Sequence, residues 1–210
     1  DIRIFGENGQ ELGPNEEGYV VIKLPLPPGT LLDLWKDNER FKAGYLNKFP
    51  GYYFSGDGGF KDNDDYIFIT GRVDDVINVA GHRLSTAEME EIVAYHHSVA
   101  ECAVIGINDE LKGQIPLALV VAKSGEDIEH FQLQHEVVHL VREQIGAVAS
   151  LRDVVIVQRL PKTRSGKILR KMMRSIADGE QFQIPSTIDD EEIIDEIRDV
   201  LEHAKIGCFK

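Results

Sequence analysis

The spacing of hydrophobic and polar residues changes near residue 74, and this change divides the chain. Before it, short apolar runs alternate with polar or turn residues, as strands do. These runs lie at residues 2–5, 19–22, 52–54 and 66–69. One short helix is predicted between these runs. Phe41, Tyr45 and Leu46 are spaced as on a helix, and Asp37 can cap its start. Residues 1–73 are therefore predicted to be β-rich, with too few helices to close a core of their own.

From residue 74 onward, strand patterns alternate with helical ones. Apolar runs predict three strands, at 99–107, 117–121 and 154–157. A long amphipathic helix is predicted from apolar residues at helical spacing, Leu133, Val137, Leu140, Val141, Ile145 and Val148. Ser85 or Thr86, with Glu88 three or two residues later, predicts the start of another helix. Two more helices are predicted over 168–177 and 190–204. Residues 74–210 therefore form an α/β or α+β unit with a three-stranded sheet and packed helices.

Composition narrows the class of protein. Apolar residues make up 42% and charged residues 28% of the 210 residues, which is ordinary for a folded domain. The formal net charge of −13 argues against general binding of nucleic acid, because such proteins present a basic face. Any anion-binding groups must be local. Two cysteines do not make a disulfide framework, and no apolar run is long enough to span a membrane.

The densest cluster of small and positively charged residues is 160–167 (LPKTRSGK). A turn of this composition, placed ahead of a helix, can carry one ammonium group, that of Lys167, into an anionic site. It is not a phosphate-binding P-loop, which needs an earlier glycine and a Ser or Thr directly after the lysine, where Ile168 stands. The alternative for Lys167 is a solvated lysine. Solvation or general attraction of anions is the role expected for the other nearby cations, Lys162, Arg164, Arg170 and Lys171.

Two further motifs lie upstream, 71–84 (GRVDDVINVAGHRL) and 53–57 (YFSGD). Taken alone, the first could be only a charged hairpin at a domain edge. Taken in order with 160–167, the three resemble the hinge, ribose-binding and final-lysine motifs of the AMP-forming short-chain acyl-CoA synthetases. The closest resemblance is to the acetyl- and propionyl-CoA synthetase branch of the adenylate-forming family. The resemblance covers nearly the whole chain.

The resemblance implies roles for single residues. Residues 1–73 would be the C-terminal end of the large AMP-binding domain, and residues 74–210 the small mobile domain, with Asp74 at the hinge. Lys167 would be catalytic, because a positioned ammonium stabilises the charge that develops when a carboxylate attacks the α-phosphate of ATP. Asp57, Arg72 and Arg83 would bind the nucleotide. The alternatives are a cap on a Gly58-Gly59 turn for Asp57, and surface salt bridges for the arginines.

The resemblance also implies a second substrate, CoA. In the family the small domain rotates after adenylate formation, and the segment around Gly81 then lines the thiol tunnel. Ala80 stands where relatives have a serine that contacts CoA, so only a backbone contact is expected there. Arg142 matches an arginine that grips a CoA phosphate. Its alternative is an ordinary pair on the long helix with Glu143 or Glu136.

Two metal ions are considered, magnesium from the resemblance and zinc from a separate motif. Magnesium would accompany ATP, and His96 lies where some relatives hold a magnesium ion, although a solvent-exposed histidine is the expectation for it. Residues 135–139 (HEVVH) match the H-E-x-x-H motif, which on a helix can bind zinc for a hydrolase. The extended pattern is missing, and both histidines fall on the polar face of the predicted helix, so the zinc hydrolase stays an alternative only.

The reaction implied is activation of a short-chain acid, such as acetate or propionate, with ATP, followed by transfer of the acyl group to CoA. The family's phosphate loop and acyl pocket are not in these residues, and the chain opens within a strand without Met. We therefore expect a fragment that is inactive alone, or, as a third alternative, a non-catalytic module that binds nucleotide or CoA. Regulatory acylation of Lys167 is a further expectation. The mitochondrial matrix and the cytosol are both expected compartments, and the chain length of the acid and the oligomeric state are left open.

Overall fold

The two hydrophobic patterns fold into separate units. A computed structural model describes residues 1–125 and 129–210, and the chain divides into Asp1–Asp74 and Asp75–Lys210. This division falls one residue after the position at which the sequence pattern changes. A short 3₁₀ turn, Val73–Asp75, spans it. Within the described ranges, no helix combines the length and the apolarity needed to cross a membrane.

The first unit is an antiparallel sheet with one helix. Its strands pair in chain order and are β1 (Ile2–Phe5), β2 (Gly18–Lys23), β3 (Tyr52–Lys61) and β4 (Ile67–Arg72). Helix α1 (Asn38–Tyr45) begins as predicted, since the carboxylate of Asp37 accepts the Arg40 N–H. The buried cluster beneath the sheet is small and largely aromatic, and consists of Phe5, Tyr19, Val21 and Phe49. This agrees with the expectation of a unit that has little core of its own.

The second unit is a five-stranded sheet with helices on both faces. Its strands are β5 (Val76–Val79), β6 (His82–Ser85), β7 (Val99–Asp109), β8 (Gly113–Ala122) and β9 (Asp153–Ile156). Its helices are α2 (Thr86–Ala94), α3 (His130–Gln144), α4 (Arg170–Asp178) and α5 (Ile193–Ala204), with 3₁₀ turns at Ala147–Ala149 and Gly207–Phe209. The strand order is β6-β5-β8-β7, and β9 pairs in parallel with β8. The mixed α/β fold class predicted from the sequence is confirmed.

Two buried clusters lie on opposite faces of this sheet. One contains Ile105, Leu117 and Leu119 together with residues of α4 and α5. The other contains Val104, Ala118 and Val120 together with residues of α2 and α3. Because neighbouring residues of β8 fall into different clusters, the strand alternates between two apolar layers and is itself almost entirely apolar. This is why the sequence predicted β8 by an unbroken apolar run.

Strand β7 is an edge strand of this sheet. Two of the backbone N–H groups on its unpaired edge donate to side chains of helices. The Val104 N–H donates to Glu90 of α2, and the Asn108 N–H donates to Asp178 of α4, both at 2.8 Å. The three predicted strands are β7, β8 and β9. The sheet gains two more strands from the β5–β6 hairpin, which the sequence pattern did not assign as strands.

Candidate functional site

The structure brings together two of the residues expected to bind nucleotide. Asp57 of β3 and Arg72 of β4 are partners in the antiparallel ladder, and Nη1 of Arg72 lies 3.2 Å from Oδ1 of Asp57. Nη1 also donates to the Ser55 carbonyl at 3.1 Å. Both side chains are partly exposed, at 51% for Arg72 and 34% for Asp57. A carboxylate and a guanidinium therefore stand side by side at the surface of the first unit, open to a ligand.

Glycine at position 56 makes room for this pair. Gly56 has a φ of +79°, and a Cβ built there would lie 2.6 Å from Nη2 of Arg72. The guanidinium thus lies directly over the backbone of the Gly56-Asp57 step, and a side chain at 56 would push it away. Arg72, Ser55 and Gly56 line a cleft of about 500 Å³, with Trp35 and Tyr45 among the other lining residues.

The glycines after Asp57 do not form the turn that the alternative role of Asp57 requires. Gly58 and Gly59 lie within β3, where the register with β4 shifts by one residue. A Cβ at Gly59 would come within 2.3 Å of the Phe68 carbonyl oxygen, so close approach of the two strands requires glycine there. The alternative of a capped turn was wrong, because a strand bulge uses the same residue types.

Asp74, the residue expected at the hinge, is the last residue of the first unit. Its Oδ1 lies 3.4 Å from Nε of Arg72, and its side chain is 59% exposed. One guanidinium thus contacts Asp57 through Nη1 and Asp74 through Nε. An exposed ion pair of this kind contributes little to stability, so either partner can be exchanged at low cost.

The second unit presents the remaining candidates on two loops. Ala80 and Gly81 form the two-residue turn of the β5–β6 hairpin, with φ values of +49° and +89°. Two positive φ angles are typical of a type I′ turn, which glycine tolerates and alanine adopts at a cost. The Ala80 N–H donates to the Lys112 carbonyl at 2.8 Å. Arg83, also exposed, follows on β6 opposite Asn78.

Arg142 is exposed in the last turn of α3 and lines a cavity of about 450 Å³. Within the described part of the chain, it makes no ion pair with Glu143 or Glu136. Glu136 instead contacts His96 and Gln132, and Glu143 lies 3.5 Å from His139. The alternative of an ordinary helix-surface pair is therefore not what the structure shows.

Lys167 lies at the end of a tight turn. The Gly166 N–H donates to the Thr163 carbonyl at 2.8 Å, and the Thr163 N–H donates to the Lys167 carbonyl at 2.8 Å. The Thr163 hydroxyl accepts the Lys167 N–H at 3.1 Å, and Gly166 has a φ of +84°. The side chain of Lys167 is exposed and has no salt bridge to any residue among 1–125 and 129–210. The backbone is fixed while the ammonium remains available.

The Lys167 turn and the Ala80-Gly81 turn lie at opposite ends of strand β8. Lys162, which pairs with Ile168 across the turn, places Nζ 2.7 Å from both carboxylate oxygens of Glu101. Glu101 is opposite Val121, near the end of β8, whereas Val79 is opposite Gly113, at its start. Eight residues of strand separate these positions, roughly 26 Å at the usual rise per residue.

Arg170, expected to be solvated, is instead half-buried and paired. Its Nε and Nη2 donate to the two carboxylate oxygens of Glu90 at 2.8 and 2.6 Å. Side-chain exposure is 26% for Arg170 and 14% for Glu90. The expectation of a solvated residue was wrong for Lys162 as well, because both cations meet acidic side chains from distant segments. These pairs tie the lysine turn and the start of α4 to α2 and β7.

His96 is buried, so the expectation of a solvent-exposed side chain was wrong. Its Nε2 lies 2.8 Å from Glu136 Oε2, and its Nδ1 accepts the Ser98 N–H at 3.3 Å. The pKa of Glu136 lies below its usual value, first because Gln132 donates to the carboxylate and then because His96 does. With both ring nitrogens engaged, His96 would have to give up one of these partners to bind magnesium.

The H-E-x-x-H residues lie on α3, with exposed His135 and His139 rings whose centroids are 6.4 Å apart. Glu136, which would activate a zinc-bound water, is directed at His96 instead. No group of three or more His, Cys, Asp or Glu side chains in the described ranges could hold a metal ion. A catalytic zinc site needs three protein ligands, so this arrangement gives the zinc hydrolase no support.

Comparison with known proteins identifies the class. Residues 88–167 match the AMP-binding enzyme C-terminal domain, a segment that ends at Lys167. ATP-bound MatB from Rhodopseudomonas palustris has a similar structure, with a TM-score of 0.63 and 26% identity over 83% of this chain and 33% of that one. The chain therefore carries the C-terminal domain of the adenylate-forming, AMP-binding enzymes.

Within that class, the chain is homologous to short-chain acyl-CoA synthetases. It is 46% identical to mouse acyl-CoA synthetase short-chain family member 3, mitochondrial, over 97% of this chain and 30% of the relative. It is 40% identical to the acetyl-coenzyme A synthetase of Pyrobaculum arsenaticum, over 98% and 30%. An uncharacterized protein of Pseudomonas aeruginosa is 57% identical, over 98% and 33%. The chain spans about a third of the length of these relatives.

Two basic residues of the second unit were missed by sequence reasoning. Lys112 and Arg152 line the same cavity as Arg142. Lys112 stands directly before β8 and belongs to no recognisable motif, and Arg152 lies between Leu151 and Asp153 with no basic residue next to it. The Asp109-to-Gly113 segment could have been recognised as a turn before a strand. Nothing in the sequence indicated that this turn would lie beside the C-terminal end of α3.

Proposed function

We propose that this chain is the C-terminal part of an AMP-forming short-chain acyl-CoA synthetase. The substrates would be a short-chain acid such as acetate or propionate, ATP and CoA. Residues 1–73 would complete the large AMP-binding domain and residues 74–210 would be the mobile C-terminal domain. The observation that supports this best is the placement of the Lys167 turn and the Ala80-Gly81 turn at opposite ends of one sheet.

That placement fits a reaction in two steps. In the first, an oxygen of the acid attacks the α-phosphorus of ATP and pyrophosphate leaves. In the second, the CoA thiol loses its proton and attacks the acyl carbon, and AMP leaves. Two loops roughly 26 Å apart on one rigid sheet cannot both reach the same reacting atoms. The second unit would therefore direct one end of its sheet at the reacting atoms in the first step and the other end in the second step. It would turn about Asp74 between the two steps.

Lys167 would serve the first step. Its ammonium is exposed, has no salt bridge to a described residue, and is carried on a turn whose backbone is held by three hydrogen bonds. Negative charge develops on the phosphate oxygens in the transition state, and a pre-positioned cation stabilises that charge without reorganisation. Asp57 and Arg72 would hold the ribose hydroxyls of the nucleotide, since carboxylate oxygens accept from them and the guanidinium donates to them. Arg83 would face its phosphates.

Magnesium would travel with ATP and neutralise part of its phosphate charge. The described residues offer no cluster that would hold this ion on their own. His96 would bind this ion only in a conformation that releases Glu136 or the Ser98 N–H.

The exposure of Lys167 also makes it accessible to modification. Acylation would remove the positive charge, and the first step alone would be lost if the charge is what acts there. The mouse relative is named as mitochondrial and the Pseudomonas relative is bacterial, so the matrix and the cytosol both remain proposals. The isolated 210 residues are proposed to form no adenylate, and acid-dependent exchange between ATP and pyrophosphate by this chain alone would contradict that.

The decisive test uses the complete enzyme with Lys167→Ala, and Lys171→Ala as a matched exposed lysine in the next helix. We expect the adenylation rate to fall by about 10² to 10³ in the first variant, as for loss of one charge-stabilising group. Conversion of supplied acyl-adenylate to acyl-CoA should persist, and Lys171→Ala should retain both steps. Survival of adenylation in Lys167→Ala would show that Lys167 is a surface lysine. Parallel assays with acetate and propionate would identify the preferred acid.

A further inference from the structure

The arm that leads into the lysine turn, residues 161–164, is hydrogen-bonded along both of its edges. On one edge lies the segment that follows the turn, residues 167–169, which begins with Lys167. Besides the bonds of the turn itself, the Leu169 N–H donates to the Pro161 carbonyl at 2.9 Å. A ribbon of two such short segments is only marginally stable in water. This pairing alone would therefore hold Lys167 loosely.

A third extended segment, residues 187–189, covers the other edge of the arm, and we call it the strap. The Arg164 N–H donates to the Thr187 carbonyl at 2.9 Å, and the Asp189 N–H donates to the Lys162 carbonyl at 3.0 Å. The arm is thus the middle one of three paired segments. A third segment packed on an apolar core is what a short ribbon needs for independent stability.

The strap is fixed to the core of the second unit. Ile188, which bridges to Thr163, is 4% exposed and belongs to the buried cluster formed with α4 and α5. Ile168, on the lysine side of the ribbon, packs against the same cluster. Directly after the strap, Oδ2 of Asp190 accepts from Nη1 of Arg159 at 2.7 Å, close to the start of the arm. Both outer segments of the ribbon are therefore anchored in one place.

We propose that the strap positions Lys167 for adenylate formation, with Ile188 as the residue that anchors it. The inference rests on the proposed function, in which the Lys167 ammonium stabilises charge on the phosphate oxygens. The match to the AMP-binding enzyme C-terminal domain ends at residue 167, so the strap lies outside the matched segment. Displacement of a reacting group by about 1 Å can cost about 10²-fold in rate, so a support that acts only through the backbone can still decide activity.

The test uses the complete enzyme with Ile188→Ala. We expect kcat of adenylation to fall by about tenfold and KM for ATP to stay within about twofold, because the ammonium acts in the transition state. Conversion of supplied acyl-adenylate to acyl-CoA should also stay within about twofold, since Lys167 has no part in that step. Ile188→Val keeps a branched anchor and should restore most of the adenylation rate.

Ile206→Ala is the matched control. Ile206 follows α5, is 6% exposed, lies in the same buried cluster and belongs to none of the three paired segments. It should reduce stability as Ile188→Ala does, and leave adenylation within about twofold of the wild type. An equal loss of adenylation in both alanine variants, or an equal loss of both half-reactions in Ile188→Ala, would assign Ile188 a general structural role and overturn the proposal.

A second background separates this inference from the proposed function. If the strap acts only through the lysine, Ile188→Ala should lower adenylation no further when Lys167→Ala is already present. A further tenfold fall in that background would contradict the proposal. Loss of adenylation in Lys167→Ala but not in Ile188→Ala would remove only the role of the strap. Unchanged adenylation in Lys167→Ala would remove the role of the lysine and this inference with it.

Amide hydrogen exchange of the wild-type 210-residue chain tests the same point without a variant. The amides of Arg164 and Asp189 join the strap to the arm, and those of Thr163 and Leu169 join the arm to the lysine segment. The four amides should show similar protection, because the three segments would open as one unit. Much faster exchange of Arg164 and Asp189 than of Thr163 and Leu169 would show that the turn is stable without the strap, and would overturn the proposal.

Discussion

The pair between Arg170 and Glu90 allows a quantitative test of how the lysine turn is anchored. The perturbation is a double-mutant cycle of Arg170→Met and Glu90→Gln. Methionine keeps an apolar stem at 170, and glutamine keeps an oxygen that can accept the Val104 N–H. The cycle therefore isolates the interaction between the two side chains from the hydrogen bond that Glu90 makes to the sheet.

The magnitude follows from burial. Two charged hydrogen bonds join the pair at 2.6 and 2.8 Å, and side-chain exposure is 26% and 14%. Exposed ion pairs contribute about 0.2–1 kcal/mol, and hydrogen bonds to charged groups contribute about 1.5–3 kcal/mol. A half-buried, two-point pair lies between these ranges, and we expect a coupling free energy of about 2 kcal/mol.

The control is the pair between Arg198 and Asp195, which has the same shortest N–O distance of 2.6 Å. Its side chains are 45% and 77% exposed, and it joins residues three apart on α5. We expect a coupling of about 0.3 kcal/mol there. The shortest distance is the same in both pairs, so the comparison tests burial together with the second hydrogen bond that Arg170 makes.

The assay is urea unfolding followed by far-ultraviolet circular dichroism. The single tryptophan, Trp35, lies in the first unit, so its fluorescence would report on the other part of the chain. The circular dichroism signal of the helices comes mainly from α2 to α5 of the second unit, because the first unit contributes only the short helix α1. A coupling at Arg170 and Glu90 no larger than that of the control pair would refute the reasoning, because neither burial nor the second hydrogen bond would then strengthen the interaction.

Two further predictions concern titration and thiol chemistry. Arg159 contacts Asp190 at 2.7 Å and Glu196 at 2.6 Å, and its hydrogen bonds lower the pKa of both carboxyl groups. A lowered folded-state pKa gives stability that is present above the unfolded pKa and lost as pH falls, so unfolding free energy should drop below about pH 5. Arg159→Gln should flatten that dependence in urea titrations from pH 7 to pH 3, and an unchanged slope would contradict the assignment. Burial raises the pKa of the Cys102 thiol to about 11, whereas Cys208 is exposed. Iodoacetamide at pH 8 should therefore modify Cys208 first, with Cys102 reacting only in denaturant, as peptide mass spectrometry would show; rapid labelling of Cys102 in the folded chain would be the contrary result.

The periodic elements of the fold could be predicted because their signal is local. Helix α3 was found from one apolar face, and its residues Leu133, Val137 and Val141 are buried as that face requires. The β5–β6 hairpin was not assigned as strands. Its alternation is short, its exposed residues Asn78, His82 and Arg83 are polar, and its turn is Ala-Gly, which is not among the usual residue pairs of a two-residue turn. Helix α4 begins at Arg170, two residues after the predicted start at Ile168, because Ile168 pairs with Lys162 instead.

The residues of the candidate site also divide into those that the sequence could predict and those that it could not. Lys167, Asp57 and Arg72 were recognised by motif, and the ladder pairing of the last two followed from two strands whose register the sequence did not specify. The buried position of His96 could not be predicted, because its partner Glu136 is 40 residues away. Lys112 and Arg152 line one cavity only because the turn after β7 packs beside the end of α3. Long-range contacts between polar side chains produce no periodic pattern in a single sequence, so they could not be predicted from it.

Strand β7 ends its sheet, and its exposed backbone would offer a template for pairing with another chain. The carboxylates of Glu90 and Asp178 already accept the Val104 and Asn108 N–H groups, so an approaching strand finds two of its donors taken. The residue that anchors Arg170 therefore also discourages self-association along this edge. A substitution that removes the acceptor at position 90 would open the edge to strand addition. The resulting association of chains would increase with protein concentration, whereas an ordinary loss of stability does not depend on concentration.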